Sequence, residues 1–208
     1  MAKKPGLDAA YDLSGPASVR ELYGAWAETY DQSFAKERGY TLHREVAEHF
    51  VRAGGGGPIL DVGAGTGLVG VALAAQGAGP VDGTDISEEM LAVARAKGCY
   101  RRCFAGDVTG SLPMADNSYA GIISAGTFTL GHLGPQPLRE LLRLTRPGGL
   151  LAITVNAEHW TAAGFAEEFD SIAPLIEALE RAEVAIYAQD ATHDHAADRG
   201  FIVTFRAR

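Results

Sequence analysis

Apolar residues recur along this chain in two rhythms that take turns, short runs suited to buried strands and three-to-four-residue spacings suited to helices. Ile59-Leu60-Asp61-Val62 reads as a buried strand. Glycines follow at 63, 65 and 67, and Leu68, Val69, Val71 and Leu73 resume as a helix. Upstream, Leu42, Val46, Ala47 and Phe50 make an amphipathic helix up to Val51 that the glycine run 54–57 stops. Pro16 opens a short helix on which Tyr23, Trp26 and Tyr30 fall at i, i+3 and i+7, one aromatic stripe. Residues 1–15, with Pro5, Gly6, Ser14 and Gly15, predict an irregular or mobile start. Downstream, strands are expected over 80–85, 100–105, 119–125 and 150–155. Helices are expected after Ser87 and over 137–146. A helical pattern continues over 165–179, where Pro174 either kinks it or opens a new turn. Segments 184–187 and 201–205 look like two closing strands joined by a polar stretch. Alternating strands and helices predict an α/β fold on a mostly parallel sheet.

Composition narrows this picture. A chain of 208 residues suffices for one domain, read here as residues 1–208 with an N-terminal lid over 1–37 and a core over 38–208. The formal charge of -8 and the isolated Arg101-Arg102 pair argue against a surface that tracks nucleic acid. Cys99 and Cys103 have neither zinc-knuckle spacing nor the look of a disulfide framework, and His193-Asp194-His195 reads as a solvated turn, so no metal is expected. No signal-peptide core or membrane-length apolar run is visible, which predicts a cytoplasmic protein without a membrane partner.

The glycines following the first strand remove side chains that would hold a ligand away from the main chain, so a cofactor is expected there. Gly65-Thr66-Gly67-Leu68-Val69-Gly70 formally matches a dinucleotide fingerprint, with Asp85 at the right distance to meet a ribose. Asp61, just before the turn, would face a diphosphate at short range and oppose it, whereas it would favour the ammonium and sulfonium of S-adenosylmethionine. That donor is therefore preferred. Asp85, at the carboxyl end of strand two, can accept from both ribose hydroxyls, and Ile86 and Met90 offer apolar surface to an adenine. Ser124, Ala125 and Gly126 emerge beside the glycine loop and leave room for an acceptor. His43 and Arg44 are read as solvent-facing, and His132 as a loop histidine bonded to local backbone.

Leu60-Asp61-Val62-Gly63-Ala64-Gly65-Thr66-Gly67 resembles motif I of class I S-adenosylmethionine-dependent methyltransferases. Thr84-Asp85-Ile86-Ser87, Gly106-Asp107-Val108, Tyr119 to Ser124 and Arg146-Pro147-Gly148-Gly149-Leu150 are similar, in order, to the family's later motifs. A narrower likeness, through Ser124 to Thr129, Gly131-His132 and His159-Trp160, is to the Williams–Beuren-region methyltransferase-like proteins. The resemblance implies a Rossmann-like, doubly wound, seven-stranded sheet with an antiparallel C-terminal edge hairpin. It also implies that Tyr30 lies over the cofactor, that Asp107 takes the adenine amino group and that the Val108 backbone reads the ring edge. The expected cofactor-binding residues are thus Tyr30, Asp61, Gly63, Ala64, Gly65, Asp85, Ile86, Met90, Asp107, Val108 and Ser124, with no catalytic residue assigned. Methyltransferases acting on exocyclic nitrogens often carry an Asn/Asp-Pro-Pro-aromatic motif where this chain has Ser124-Ala125-Gly126-Thr127, which counts against such acceptors. The expected function is in-line methyl transfer to a small molecule. His159 and Trp160 either wall the acceptor pocket or anchor the segment. An NAD(P)-dependent oxidoreductase and a donor-binding module without catalysis stay open as alternatives.

Overall fold

The structure is a computed structural model that describes Gly6, Ala10, Leu13 and residues 15–208. Most of the expected irregular start lies outside the described residues. Seven strands form one sheet in the order β3-β2-β1-β4-β5-β7-β6. They are β1 (Ile59–Val62), β2 (Val81–Asp85), β3 (Arg102–Ala105), β4 (Tyr119–Phe128), β5 (Thr145–Asn156), β6 (Ile176–Ala185) and β7 (Arg199–Ala207). Strands β1 to β5 pair in parallel, while β7 runs antiparallel to β5 and to β6. This is the expected doubly wound sheet with an antiparallel edge pair. The chain order reverses between β1 and β4, and such switch points open a crevice at the strands' carboxyl ends.

Helices α1 (Pro16–Trp26), α2 (Leu42–Arg52), α3 (Leu68–Ala75), α4 (Glu88–Ala96), α5 (Leu138–Leu144), α6 (Ala157–Ala162) and α7 (Phe165–Ile172) cover the sheet, with a π-helical turn at Asp31–Lys36. Alternation along the strands divides the core between two faces. Ile59, Val81 and Ile123 pack with Val46 and Phe50 of α2 and with Val69 and Leu73 of α3. Leu60, Val62 and Ile122 pack on the other side with Leu138, Leu141, Phe165 and Phe169. A third cluster of Trp26, Phe34, Tyr40, Leu42, Ile186 and Tyr187 ties the N-terminal helices to the segment after β6.

Two expectations are corrected. The helical pattern over 165–179 ends at Ile172, and residues 176–179 belong to β6. Glu, Leu, Ala and Arg favour helix in isolation, yet pairing of this edge strand with β7 overrides that preference. Its Glu177, Glu180, Arg181 and Glu183 give the edge a charged surface that discourages further strand pairing. The fifth strand starts at Thr145, because the stretch before Leu150 already pairs with β4 through Tyr119. Arg101 and Arg102, read as an isolated basic pair, both bind the fully buried Asp82, at 2.7 and 2.9 Å. Burial alone would raise the Asp82 carboxyl, but these contacts and the Tyr119 hydroxyl hold it below its ordinary range.

Candidate active site

A cavity of about 290 Å³ opens at the carboxyl ends of β1, β2, β3 and β4. Its floor is the turn after β1, where Gly63 and Gly65 hold left-handed φ values of 68° and 52°. A Cβ on Gly63 would lie 2.1 Å from the Thr127 hydroxyl, so only glycine lets the turn lie against β4. On Gly65 a Cβ would meet nothing closer than 4.0 Å. Here glycine serves the φ value and keeps backbone open to the cavity.

Asp85 ends β2 and lines the cavity, with Oδ2 accepting from the Gly65 amide at 2.8 Å and Oδ1 from the Ser87 amide at 2.9 Å. Each carboxylate oxygen retains capacity for one more donor. Desolvation raises the Asp85 carboxyl against the lowering effect of these amides. Ser87 also caps α4 by accepting from the Met90 amide at 3.2 Å, which turns the Ile86–Met90 segment along the cavity wall. Beyond β3, Asp107 and Val108 complete this side. Asp107 Oδ1 accepts from the amide and hydroxyl of Thr109, so this side chain shapes its own turn while standing on the wall.

Of the expected cofactor residues, Tyr30, Gly63, Ala64, Gly65, Asp85, Ile86, Met90, Asp107 and Val108 are gathered around this one cavity. Asp61 and Ser124 are not on its wall. Strand alternation turns Asp61 to the face of Ile59, beneath α3, where it is fully buried and its Oδ2 accepts from the Tyr100 hydroxyl at 2.6 Å. Burial lifts its carboxyl to about 7, with the Tyr100 hydrogen bond pulling the other way. Asp61 thus lies behind the glycine turn, tied to Tyr100. Ser124 is fully buried and donates to the Val62 carbonyl at 2.7 Å, leaving Ala125, Gly126 and Thr127 to form the wall.

Tyr100 explains the third glycine of the apparent dinucleotide fingerprint. Its ring fills the space under the glycine turn, and a Cβ on Gly70 would lie 2.4 Å from it. The Gly70 amide donates to the Tyr100 oxygen at 3.1 Å, which in turn reaches Asp61. The pattern Gly65-x-Gly67-x-x-Gly70 here accommodates a tyrosine.

The N-terminal helices form the facing wall with Val19, Tyr23 and Tyr30. They are fastened by Asp31, which binds Lys97 after α4 and Thr66 of the glycine turn, each at 2.5 Å, and by Arg20 to the Ile86 carbonyl at 3.2 Å. Sequence reasoning missed Tyr23, Tyr40, His43 and Thr127 as wall residues. His43 is not solvent-facing; it stacks on Tyr40 at 5.6 Å, and burial lowers its imidazole to about 4. No spacing rule singles out residues that converge from α1, α2 and β4. His132 does bond local backbone, with Nδ1 2.9 Å from the Leu130 carbonyl, but its Nε2 lies 2.9 Å from the Tyr23 hydroxyl and the ring lines the cavity. Trp160 is an anchor, stacked on Phe165 and Phe169 away from the cavity. His193 Nε2 lies 3.2 Å from the Arg38 carbonyl, and among the described residues no group of His, Cys, Asp and Glu could hold a metal ion. Among the same residues no helix is long and apolar enough to cross a membrane.

A switch-point crevice with a carboxylate at the end of the second strand and apolar side chains beyond it defines a nucleoside-binding α/β protein. Residues 59–149 match a methyltransferase domain model. The chain is 33% identical over 155 residues to human methyltransferase-like protein 27, covering 71% of this chain and 62% of that protein. It is 30% identical over 190 residues to a demethylmenaquinone methyltransferase of Mycobacterium bovis, covering 88% and 76%. In fold it resembles a TehB-like SAM-dependent methyltransferase from Corynebacterium glutamicum, with a TM-score of 0.62 and 22% identity over 93% of this chain and all of that one. The chain spans about three fifths of the human relative's length. It belongs to the class I S-adenosylmethionine-dependent methyltransferases.

S-adenosylmethionine is the family's cofactor, and the residues present fit it. Thr84 Oγ1, which lines the cavity, is a buried hydrogen-bonding atom without a partner. Asp85 has capacity for a diol, Ile86, Met90 and Val108 supply apolar contact, and the glycine turn leaves backbone accessible.

Proposed function

We propose that this protein transfers a methyl group from S-adenosylmethionine to a small molecule held between the glycine turn and the N-terminal helices. The observation that carries the reading is Asp85, fixed by two backbone amides at the mouth of the switch point and still able to accept from two hydroxyls. In this reading Asp85 binds the ribose hydroxyls, Asp107 and Val108 take the adenine edge, and Ile86 and Met90 pack on the ring. Tyr30 covers the donor, and Asp61, held by Tyr100, supports the turn from below.

The cofactor supplies a methyl group already activated by its sulfonium. What the chain adds is alignment and exclusion of water, a contribution that can reach about 7–11 kcal/mol of the barrier when reacting atoms are well placed. A small acceptor is supported by the N-terminal helices, which cover the cavity as a lid, and by the absence of a basic platform for a polymer among the described residues. Free Cys99 and Cys103 and the acidic charge agree with a cytoplasmic setting.

The test is calorimetry with the demethylated product, S-adenosylhomocysteine. Asp85→Ala is expected to weaken binding by about 1–3 kcal/mol, the scale of lost charge-assisted hydrogen bonds. Unchanged affinity would remove Asp85 from the site.

A further inference from the structure

A second, smaller cavity of about 50 Å³ adjoins the first and shares Tyr23, Tyr30, Tyr40, Gly126 and His132 with it. Trp26, Phe34 and Tyr187 add further rings, and no Asp, Glu, Lys or Arg lines it among the described residues. Two of its polar side chains are tied to backbone: Thr154 Oγ1 accepts from the Gly126 amide at 2.9 Å, and Asn156 caps α6 through Glu158 and His159. Neither an anionic nor a cationic acceptor would find a counter-ion there, and burying an unpaired charge is costly. An uncharged, flat molecule suits these walls.

Tyr23 and His132 stand where the two cavities meet. The Leu130 carbonyl can only accept, so in the neutral imidazole Nδ1 carries the proton and Nε2 is left as the acceptor. The Tyr23 hydroxyl must therefore donate to Nε2 across their 2.9 Å contact. This leaves the phenol oxygen of Tyr23 with lone pairs to offer a second donor. The tautomer needed for a base is fixed by the fold itself, as the ring cannot turn over without losing the bond to Leu130. The other titratable groups around the pair are Tyr30 beside α1, Tyr40 before α2, Asp85 at the end of β2, His159 on α6 and Tyr187 after β6. Burial pushes the Tyr23 phenol up and the His132 imidazole down, so at neutral pH the first is protonated and the second uncharged.

On the methyltransferase reading above, we propose that Tyr23 and His132 form a proton relay for an acceptor that presents a weakly acidic hydroxyl on an uncharged flat framework, a phenol or an enol. The acceptor's proton passes to the Tyr23 oxygen as the Tyr23 proton passes to His132 Nε2. The acceptor oxygen bonds the methyl carbon while the carbon–sulfur bond breaks and its electron pair stays on sulfur. One positive charge disappears at the sulfonium and one appears on the imidazolium, so the enclosed site keeps its net charge through the step. The Leu130 carbonyl faces the new imidazolium, whose extra proton then leaves to solvent. Tyr23 touches the acceptor and is the catalytic residue, while His132 acts through it.

The experiment compares methyl transfer to phenol and to aniline, an uncharged ring of the same size whose nitrogen attacks with its lone pair before any proton is lost. Tyr23→Phe and His132→Gln are each expected to slow transfer to phenol by about 100-fold or more, the usual worth of general-base assistance. Transfer to aniline is expected to fall by less than about tenfold, since its nitrogen needs no base to act as a nucleophile. Each variant is also titrated with S-adenosylhomocysteine, since a variant that still binds it is folded and its loss of transfer then reads the methyl-transfer step. A merely structural role would slow both acceptors alike. Equal losses on the two acceptors, no loss in either variant, or no transfer to phenol by the wild type overturns the proposal. Failure of the wild type to bind S-adenosylhomocysteine would instead overturn the methyltransferase reading on which it rests.

Discussion

The two walls of the cavity are built on different principles. The wall running from β1 to the turn after β3 is backbone-defined, with glycine φ values, amides aimed at Asp85 and a capped helix fixing every contact group. The facing wall, from α1, the π-helical turn and the loop after β4, is defined by rings that touch across the chain, such as Tyr23 with Trp26 and Tyr30 at 6.0 and 5.9 Å. Its polar fastenings are few and partly exposed, Asp31 being 39% accessible in its pair with Lys97. A backbone-defined wall suits a ligand that does not change, and a side-chain wall can be re-cut for a new acceptor without disturbing the first.

The comparison can be broken most forcefully beneath the backbone wall. A carboxyl raised in the folded state, as for Asp61, contributes stability that is complete at low pH and is lost as pH rises from its unfolded value near 4 through about 7. Asp61→Asn keeps an acceptor for Tyr100 and removes that dependence. Its stability relative to wild type is therefore expected to rise by about 2–4 kcal/mol between pH 4 and pH 8, read by urea denaturation at each pH. A pH-independent difference would show that Asp61 is not desolvated. Next in size is Gly70→Ala, where the added methyl group must displace the Tyr100 ring. Overpacking of this kind costs about 1–3 kcal/mol, and here it should weaken S-adenosylhomocysteine binding along with thermal stability.

The smallest effect is expected on the facing wall. Asp31→Asn loosens the Lys97 and Thr66 contacts, and exposed pairs of this type contribute about 0.2–1 kcal/mol. Affinity for S-adenosylhomocysteine should fall by less than about fivefold at low salt and match the wild type in high salt, where the pair is screened. A larger, salt-independent loss would mean that the N-terminal helices are held as rigidly as the glycine turn.

The same contrast governs what could be read in advance. The glycine turn, Asp85 and the strand and helix alternation are local patterns, and each was visible from neighbouring residues. Asp61 was misplaced although its strand was recognised, because proximity to the turn was weighed and the alternation with Ile59 and Leu60 was not. Ser124 went the same way, turned by β4 toward Val62. Tyr100 left no local signal, since its role depends on Gly67, Gly70 and Gly83 lying close to its ring. The pairing of Tyr23 with His132 spans 109 residues of sequence, beyond any periodicity, and Glu177 sits in a strand only because β7 lies beside it.

The most direct measurement is a calorimetric titration of the purified wild-type protein with S-adenosylhomocysteine and, separately, with NADH. A saturable exothermic isotherm for the thioether nucleoside and no heat from the dinucleotide is the predicted result. Saturable binding of NADH, with S-adenosylhomocysteine silent, would contradict it.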